Sequence, residues 1–191
     1  TYMKLVGKKF IIQQGELGVR VFESSCINNV SEWLSHDYNE LSFVSSTLPY
    51  PCSTSEFNKH YVSCLKKGSH KFFSVYSTVT QKHIGHFEIK NISSSFLNGT
   101  ISHVVLGDKN YRNKGLGKDL IKLMVKIGFE YLDLYRLGLA VHMCNYNAIT
   151  AYIKGGFVFE GIIRDVLKDN QKRVSLYQMA VLKSEWKNKC V

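Results

Sequence analysis

The segment from Asn110 to Leu132, NYRNKGLGKDLIKLMVKIGFEYL, constrains the fold most, because a glycine-containing turn leads directly into a long helical pattern. Its apolar residues recur three and four positions apart, which predicts a helix over residues 115–132 with one buried face. The stretch before the turn, residues 99–107, reads GTISHVVLG and has the pattern of a strand. The segment therefore predicts a strand, a glycine turn and a helix in succession.

The turn has the properties of a phosphate-binding site. Lys114 and Lys118 lie where the helix starts, and a cation is unfavourable there unless an anion is also present, since the first helical turn carries partial positive charge. Free backbone N–H groups at a helix start bind phosphate, and Gly115 and Gly117 let the backbone approach closely. The short motif R-x-x-G-x-G, which begins at Arg112, also fits an ordinary turn, and it is neither a Walker loop nor a dinucleotide fingerprint.

The rest of the chain alternates short strand and helix patterns, which indicates an α/β layer fold with a mixed sheet. Strand patterns cover residues 71–77, 83–92, 134–143, 157–168 and 173–182, and weaker ones cover 10–14 and 18–23. Helical patterns cover residues 27–41, 56–67 and 147–156. No linker, repeat or low-complexity block interrupts the sequence, so we expect a single domain spanning residues 1–191.

The formal net charge of +10 is compatible with simple solubility or with an anionic partner such as a nucleotide-bearing cofactor. The chain has no basic tail, zinc-finger spacing or aromatic RNA-binding motif, so we expect no nucleic-acid partner. The five cysteines are odd in number and form no C-x-x-C pair, which predicts neither a disulfide framework nor a metal site. No apolar run approaches the ~18 residues of a membrane span, and the first ten residues are too short and polar for a signal peptide, so we expect a cytoplasmic protein without a membrane partner.

Three motifs in the second half resemble those of the Gcn5-related N-acetyltransferase (GNAT) superfamily. The glycine turn matches the superfamily pattern [RQ]-x-x-G-x-[GA]. A second motif matches N-x-x-A-x-x-x-Y-x-x-x-G-F through Asn145, Ala148, Tyr152, Gly156 and Phe157. The third, FVFEGIIRD, is similar to the G-F-x-x-E-G-x-x-R-[DE] pattern of the RimJ/RimL-like branch through Glu160, Gly161 and Arg164. The resemblance covers residues 84–182 and implies a mixed, mostly antiparallel sheet flanked by helices.

The resemblance implies an N-acetyltransferase that binds acetyl-CoA and transfers the acetyl group directly to a primary amine in a ternary complex. The acceptor stays open between a protein N-terminus, an amino sugar, an aminoglycoside and a polyamine, that is, a small-molecule or peptide amine. A homodimer is possible in such a family. The alternative from another class is a CoA-binding module that has kept the fold without catalysis.

The resemblance also implies where the cofactor lies. The pantetheine is amide-like and can pair with a strand edge, which places it along Val105, Leu106 and Gly107. The pyrophosphate is expected at the turn, and Asn145 matches the family's cofactor-contacting asparagine. The turn residues expected at the pyrophosphate are Arg112, Asn113, Lys114, Gly115, Leu116, Gly117 and Lys118.

Tyr152 matches the family's general acid, and a phenol with an ordinary pKa of ~10 is protonated at neutral pH. For the general base we name Glu88, which resembles a strand glutamate of the branch, and His103, whose intrinsic pKa is suitable; a water relay is the alternative. Ala140 stands where some relatives carry a glutamate. Cys144 is not expected to act as a nucleophile, because direct transfer needs no acyl-cysteine.

Two further expectations concern the acceptor. The last strand of the branch usually carries an aspartate four residues before a tyrosine, and Arg173 stands there, before Tyr177, so substrate assignment by branch does not follow. Because the second half of the chain is occupied by cofactor motifs, we expect residues 28–67 and the closing strands to build the acceptor pocket.

Overall fold

A computed structural model describes residues 9–35, 48–112, 114–169 and 172–188 of the chain. These residues form one eight-stranded sheet with the order β1-β2-β3-β4-β5-β6-β8-β7. Neighbouring strands of this described sheet are antiparallel except β5 and β6, which are parallel, so the predicted mixed and mostly antiparallel sheet is confirmed. The strands are β1 (Ile12–Gln14), β2 (Leu17–Val21), β3 (Lys71–Ser77), β4 (His83–Ser93), β5 (Asn98–Leu106), β6 (Arg136–His142), β7 (Val158–Asp169) and β8 (Lys172–Leu182).

Helices cover both faces of the sheet. Phe72 and Phe73 are consecutive on β3 and belong to two different hydrophobic clusters, so the clusters lie on opposite faces. One cluster is built with α1 and α2, and the larger one with α3 and α4. The helices are α1 (Ile27–Trp33), α2 (Thr54–Lys66), α3 (Leu116–Lys126), α4 (Tyr146–Lys154) and α5 (Lys183–Asn188).

The largest differences from the sequence prediction concern three helices. The helix predicted over residues 27–41 ends as α1 at Trp33, and residues 36–47 lie outside the described part. The helix predicted over residues 115–132 is α3 followed by a π-helical turn, Ile127–Tyr131. Helix α5 was not predicted, because its six residues are too few to show a period.

The parallel pair β5–β6 separates after a short contact. Asn98–Thr100 pair with Arg136–Gly138, and no pairing between the two strands is described beyond that point. Each strand continues along its other neighbour: β5 pairs with β4 as far as Leu106, and β6 pairs with β8 as far as His142. The register of the β4–β5 pair shifts between His86 and Glu88, opposite His103, whose φ is +48°. Such a bulge bends its strand, which accounts for the divergence.

A capping box fixes the start of α2. The Ser53 Oγ accepts a hydrogen bond from the Glu56 N–H at 3.2 Å, and the Glu56 carboxylate accepts one from the Ser53 N–H at 2.8 Å. Two backbone donors that the helix cannot satisfy itself are thereby paired.

We predict that Ser53→Ala lowers the free energy of unfolding by about 1 kcal/mol, because it removes the side-chain half of the capping box. Urea unfolding followed by circular dichroism measures the change. Ser55→Ala, one position inside the same helix, is the matched control and is expected to change stability by less than about 0.5 kcal/mol. Equal stabilities of the two variants would contradict the assignment.

Candidate active site

A cavity of about 590 Å³ opens where β5 and β6 diverge. Its walls come from the outer halves of the two strands, the start of α3 and the inner face of α4. The lining includes most of the residues predicted from the sequence, namely His103, Val105, Leu106, Arg112, Gly115, Leu116, Gly117, Asn145 and Tyr152. The cavity therefore brings the predicted cofactor and catalytic segments together.

The glycine turn forms one end of the cavity. Gly115 adopts a left-handed conformation with φ +78° directly before the first residue of α3. Any residue with a side chain would be strained in this conformation. A Cβ on Gly117 would meet only the Ala151 Cβ, at 4.0 Å, so the space in front of the turn is open. Lys114 and Lys118 are exposed beside the turn, and the predicted contact residue Asn113 lies outside the described residues.

Arg112 fastens the turn to the end of β5. Its Nε donates to the Leu106 carbonyl at 2.7 Å, and its Nη2 lies 3.4 Å from the Gly107 carbonyl. Val105 and Leu106 line the cavity, whereas Gly107 sits at the strand end against the indole of Trp33, where an added Cβ would lie 1.8 Å from a ring carbon. Gly107 is thus a close-packing position beside the predicted cofactor strand.

Helix α4 places Asn145 and Tyr152 on the opposite wall. The Asn145 Oδ1 accepts a hydrogen bond from the Ala148 N–H at 3.1 Å and so caps the helix. Tyr152, two turns further on, is 7% exposed and packs edge-on against the Phe157 ring. Burial raises the pKa of Tyr152 to about 12. The phenol therefore stays protonated at neutral pH, as a proton donor must.

The two predicted bases occupy different positions. His103 lines the cavity, but Glu88 is fully buried behind it and does not line the cavity. The His103 Nδ1 lies 2.8 Å from the Glu88 Oε2, so the pair forms one unit. Of the two predicted bases, His103 is therefore the one that a substrate in the cavity could touch directly.

Three further histidines surround Glu88, and none of them was predicted as a site residue. The Nε2 atoms of His60, His70 and His86 lie 3.2, 2.6 and 3.2 Å from the Glu88 carboxylate. Burial alone would raise the pKa of Glu88, but the hydrogen bonds from the four imidazoles outweigh it and hold the pKa well below its usual range. Burial lowers the pKa of His86. Part of this cluster was visible in the sequence, since the H-x-E spacing of residues 86–88 puts both side chains on one strand face.

The remaining predictions concern Ala140, Cys144 and the acceptor pocket. Ala140 lines the cavity where some relatives carry a glutamate, and Cys144 is exposed and does not line it. Of the segments expected to build the acceptor pocket, the closing strands contribute Leu167 and Leu176 to this cavity, while the described part of residues 28–67 does not line it. The acceptor pocket therefore stays a prediction.

A sequence model of the acetyltransferase (GNAT) family matches residues 28–157, which is more than half of the chain. The chain belongs to the GNAT acetyltransferase family. It is therefore an N-acetyltransferase that uses acetyl-CoA, as the motifs predicted. Among curated proteins, no sequence matches the chain. No helix in the described ranges is long and apolar enough to cross a membrane.

Solved acetyltransferase structures share the fold. The spermidine N-acetyltransferase from Vibrio cholerae, crystallised with CoA and spermine, superposes with a TM-score of 0.79 at 22% identity and covers 91% of this chain and 99% of its own. A chimera of that enzyme superposes with a TM-score of 0.79 at 20% identity and covers 91% of this chain and 99% of its own. A dodecameric form of the Vibrio cholerae enzyme superposes with a TM-score of 0.75 at 21% identity and covers 92% of this chain and 99% of its own.

We predict that Gly117→Leu weakens CoA binding at least tenfold, because the new side chain fills the space in front of the helix start while the fold has room for its Cβ. Isothermal titration calorimetry with CoA measures the loss. Gly161→Leu is the matched control, since the same substitution there meets open space on β7, away from the cavity. Unchanged affinity in the Gly117 variant would contradict a phosphate site at this turn.

Proposed function

We propose that this GNAT acetyltransferase acetylates a primary amine of an acceptor molecule that is otherwise neutral or anionic, with Tyr152 as the general acid. The observation that carries the proposal is the buried, protonated Tyr152 on the wall of the same cavity as the glycine turn. One extended cofactor could then contact the phosphate-binding turn with its pyrophosphate and Tyr152 with its thioester.

The cofactor position follows from the available backbone groups. The described edge of β5 from Ile101 to Leu106 has no strand partner on the β6 side, so its N–H and C=O groups suit the amides of pantetheine. The backbone N–H groups at the start of α3, from Gly115 to Lys118, suit the pyrophosphate. Asn113, Gly107 and Asn145 stay predicted contacts, as do the side chains of Arg112, Lys114 and Lys118.

The proposed reaction is one displacement at the thioester carbonyl. The amine nitrogen attacks the carbonyl carbon, the C–N bond forms, and the C–S bond breaks. The leaving thiolate takes the Tyr152 hydroxyl proton, and the amine loses one proton, which returns the phenol to its neutral form through solvent. Glu88 and His103 stay predictions for the group that first accepts the amine proton, and of the two only His103 lines the cavity.

The acceptor amine must enter this cavity to reach the thioester, so the charge of the lining bears on the acceptor class, whereas the rest of the acceptor pocket stays a prediction. Among the described residues that line it, Lys90 and Arg112 are cationic and no aspartate or glutamate occurs. A polyamine or an aminoglycoside carries several positive charges and needs carboxylates to hold them. The Vibrio cholerae enzyme binds spermine; for this chain we instead place a protein N-terminus or an amino sugar first. Membership of the RimJ/RimL-like branch stays a proposal, and because of Arg173 it does not assign the acceptor.

We also propose that the chain is one cytoplasmic catalytic domain that self-associates. The edge strand β7 supports the last point, since it exposes Val158, Phe159 and Ile162 at 51%, 46% and 54%. Apolar residues on an exposed strand edge favour a protein partner. The dodecameric form of the Vibrio cholerae enzyme shows that this fold can assemble with itself.

We predict that Tyr152→Phe lowers kcat by ~10²–10⁴-fold, the usual effect of losing a positioned proton donor. The CoA affinity should stay near that of the wild type, because the hydroxyl acts only as the thiolate leaves. Thiol release under single-turnover conditions measures the chemical step. Tyr146→Phe, an exposed tyrosine on the same helix, is the control. Near-normal chemistry in the Tyr152 variant would leave this residue as a packing aromatic.

We predict that a short peptide with a free N-terminus and glucosamine give larger kcat/KM values than spermidine, because the cavity lining is cationic. Thiol release from acetyl-CoA, with mass spectrometry of the product, measures each acceptor. A larger value for spermidine would contradict the acceptor class and leave the enzyme class intact. Bound CoA with no turnover on any amine would support the non-catalytic alternative.

A further inference from the structure

The Glu88 carboxylate lies at the centre of a buried ring of imidazoles. Its side chain is fully inaccessible, and the most exposed of these histidines is His60, at 15%. The ring nitrogens of His60, His70, His86 and His103 lie between 2.6 and 3.2 Å from the two carboxylate oxygens. The four histidines come from α2, the segment before β3, β4 and β5. Five side chains of types that can bind metal ions thus converge from four segments of the chain.

The partners of Glu88 are all potential metal ligands. In the described part of the chain its ion-pair partners are imidazoles, with no lysine or arginine among them. A buried carboxylate is paired either with a protonated side chain or with a metal ion. A divalent cation can take the second role here, because imidazole nitrogens and a carboxylate oxygen already converge on one position.

The donor chemistry selects a transition metal. Imidazole nitrogen with one carboxylate oxygen suits zinc and its first-row neighbours, whereas calcium and magnesium prefer oxygen alone. One donor atom each from His60, Glu88 and His103 lies within 4.8 Å of the others. Metal–ligand distances of ~2.0–2.1 Å place tetrahedral ligands about 3.3 Å apart. The His60 Nε2 already lies 3.2 Å from both carboxylate oxygens.

The surroundings hold these side chains in place. The second ring nitrogen of His60, Nδ1, lies 3.7 Å from the Cys64 Sγ one helical turn along α2, which orients the ring. His70 stacks on Phe72 with ring centroids 4.7 Å apart. The ring of Phe57 packs edge-on against His86, so the cluster has an apolar wall. An oriented ligand set within an apolar shell is how protein metal sites are built.

We propose that His60, Glu88 and His103 bind one divalent transition-metal ion. Zn²⁺ is the probe for this site. Binding replaces the N–H···O hydrogen bonds by metal bonds. Each imidazole nitrogen that becomes a ligand carries no proton: a neutral ring moves its proton to the other ring nitrogen, and a protonated ring releases one to solvent. The cysteine spacing predicts no metal centre, and the ligand set proposed here is assembled only by the fold.

Isothermal titration calorimetry of the full chain, freed of metal by a chelator, tests the proposal. We expect one Zn²⁺ per chain with a Kd tighter than about 1 µM, and visible absorption bands when Co²⁺ is used instead. His60→Gln and Glu88→Gln should each weaken Zn²⁺ binding at least tenfold. His83→Gln, a histidine outside the cluster, is the matched control and should bind as the wild type does.

Far-UV circular dichroism and CoA titration establish that each variant is folded. A wild-type chain that binds CoA but takes up no Zn²⁺ overturns the proposal. So does a His60→Gln or Glu88→Gln variant that is folded and binds Zn²⁺ as tightly as the wild type, because the ion is then held elsewhere. Since binding is read by heat and absorbance, none of these results depends on acetyl transfer or on its acceptor.

Discussion

The separation of β5 from β6 is the constraint on which the rest of the structure depends. The two strands pair over three residues each and then follow different neighbours, which leaves backbone groups of β5 facing a cavity. A buried backbone edge without partners is unfavourable in water-poor surroundings. The edge is therefore stable only if water or a ligand with amide groups pairs with it. This requirement links an irregularity of the sheet to the binding of an extended cofactor.

The divergence is held open from both sides of the sheet. Arg112 ties the carbonyl groups at the end of β5 to the glycine turn, and the bulge at His103 bends the same strand. Behind the bulge, Glu88 joins β5 to α2 and β4 through imidazole contacts. Removing one partner of a buried charged network costs more than its net contribution, because the remaining charge loses its compensation. The buried cluster thus supports the geometry of the cavity.

Local patterns predicted the elements that carry the cofactor motifs. Strand β5, the turn and α3 follow from strand and helix patterns and from glycine placement, and α4 follows from its own pattern and from the motif around Tyr152. The π-helical turn after α3 was not predicted, because nothing in the helical pattern marks it. Gly128 within this turn packs closely on β6, where an added Cβ would lie 2.3 Å from a Leu137 carbon.

Long-range contacts explain what the sequence could not show. Glu88 was predicted to act in the site, but its burial depends on residues from four segments that sequence spacing does not connect. Gly107 was predicted as a cofactor contact, and the structure adds that Trp33, seventy-four positions earlier, covers it. The four histidine side chains surround the Glu88 carboxylate only once α2 is packed on the sheet.

A crystal structure of the chain with CoA tests the account most directly. We expect the pyrophosphate oxygens about 2.7–3.1 Å from the backbone N–H groups that begin α3, and the pantetheine amides paired with the open edge of β5 beside Val105 and Leu106. The thiol should then point along the cavity towards Tyr152. CoA bound outside this cavity, or with its pyrophosphate away from Gly115 and Gly117, would contradict the account.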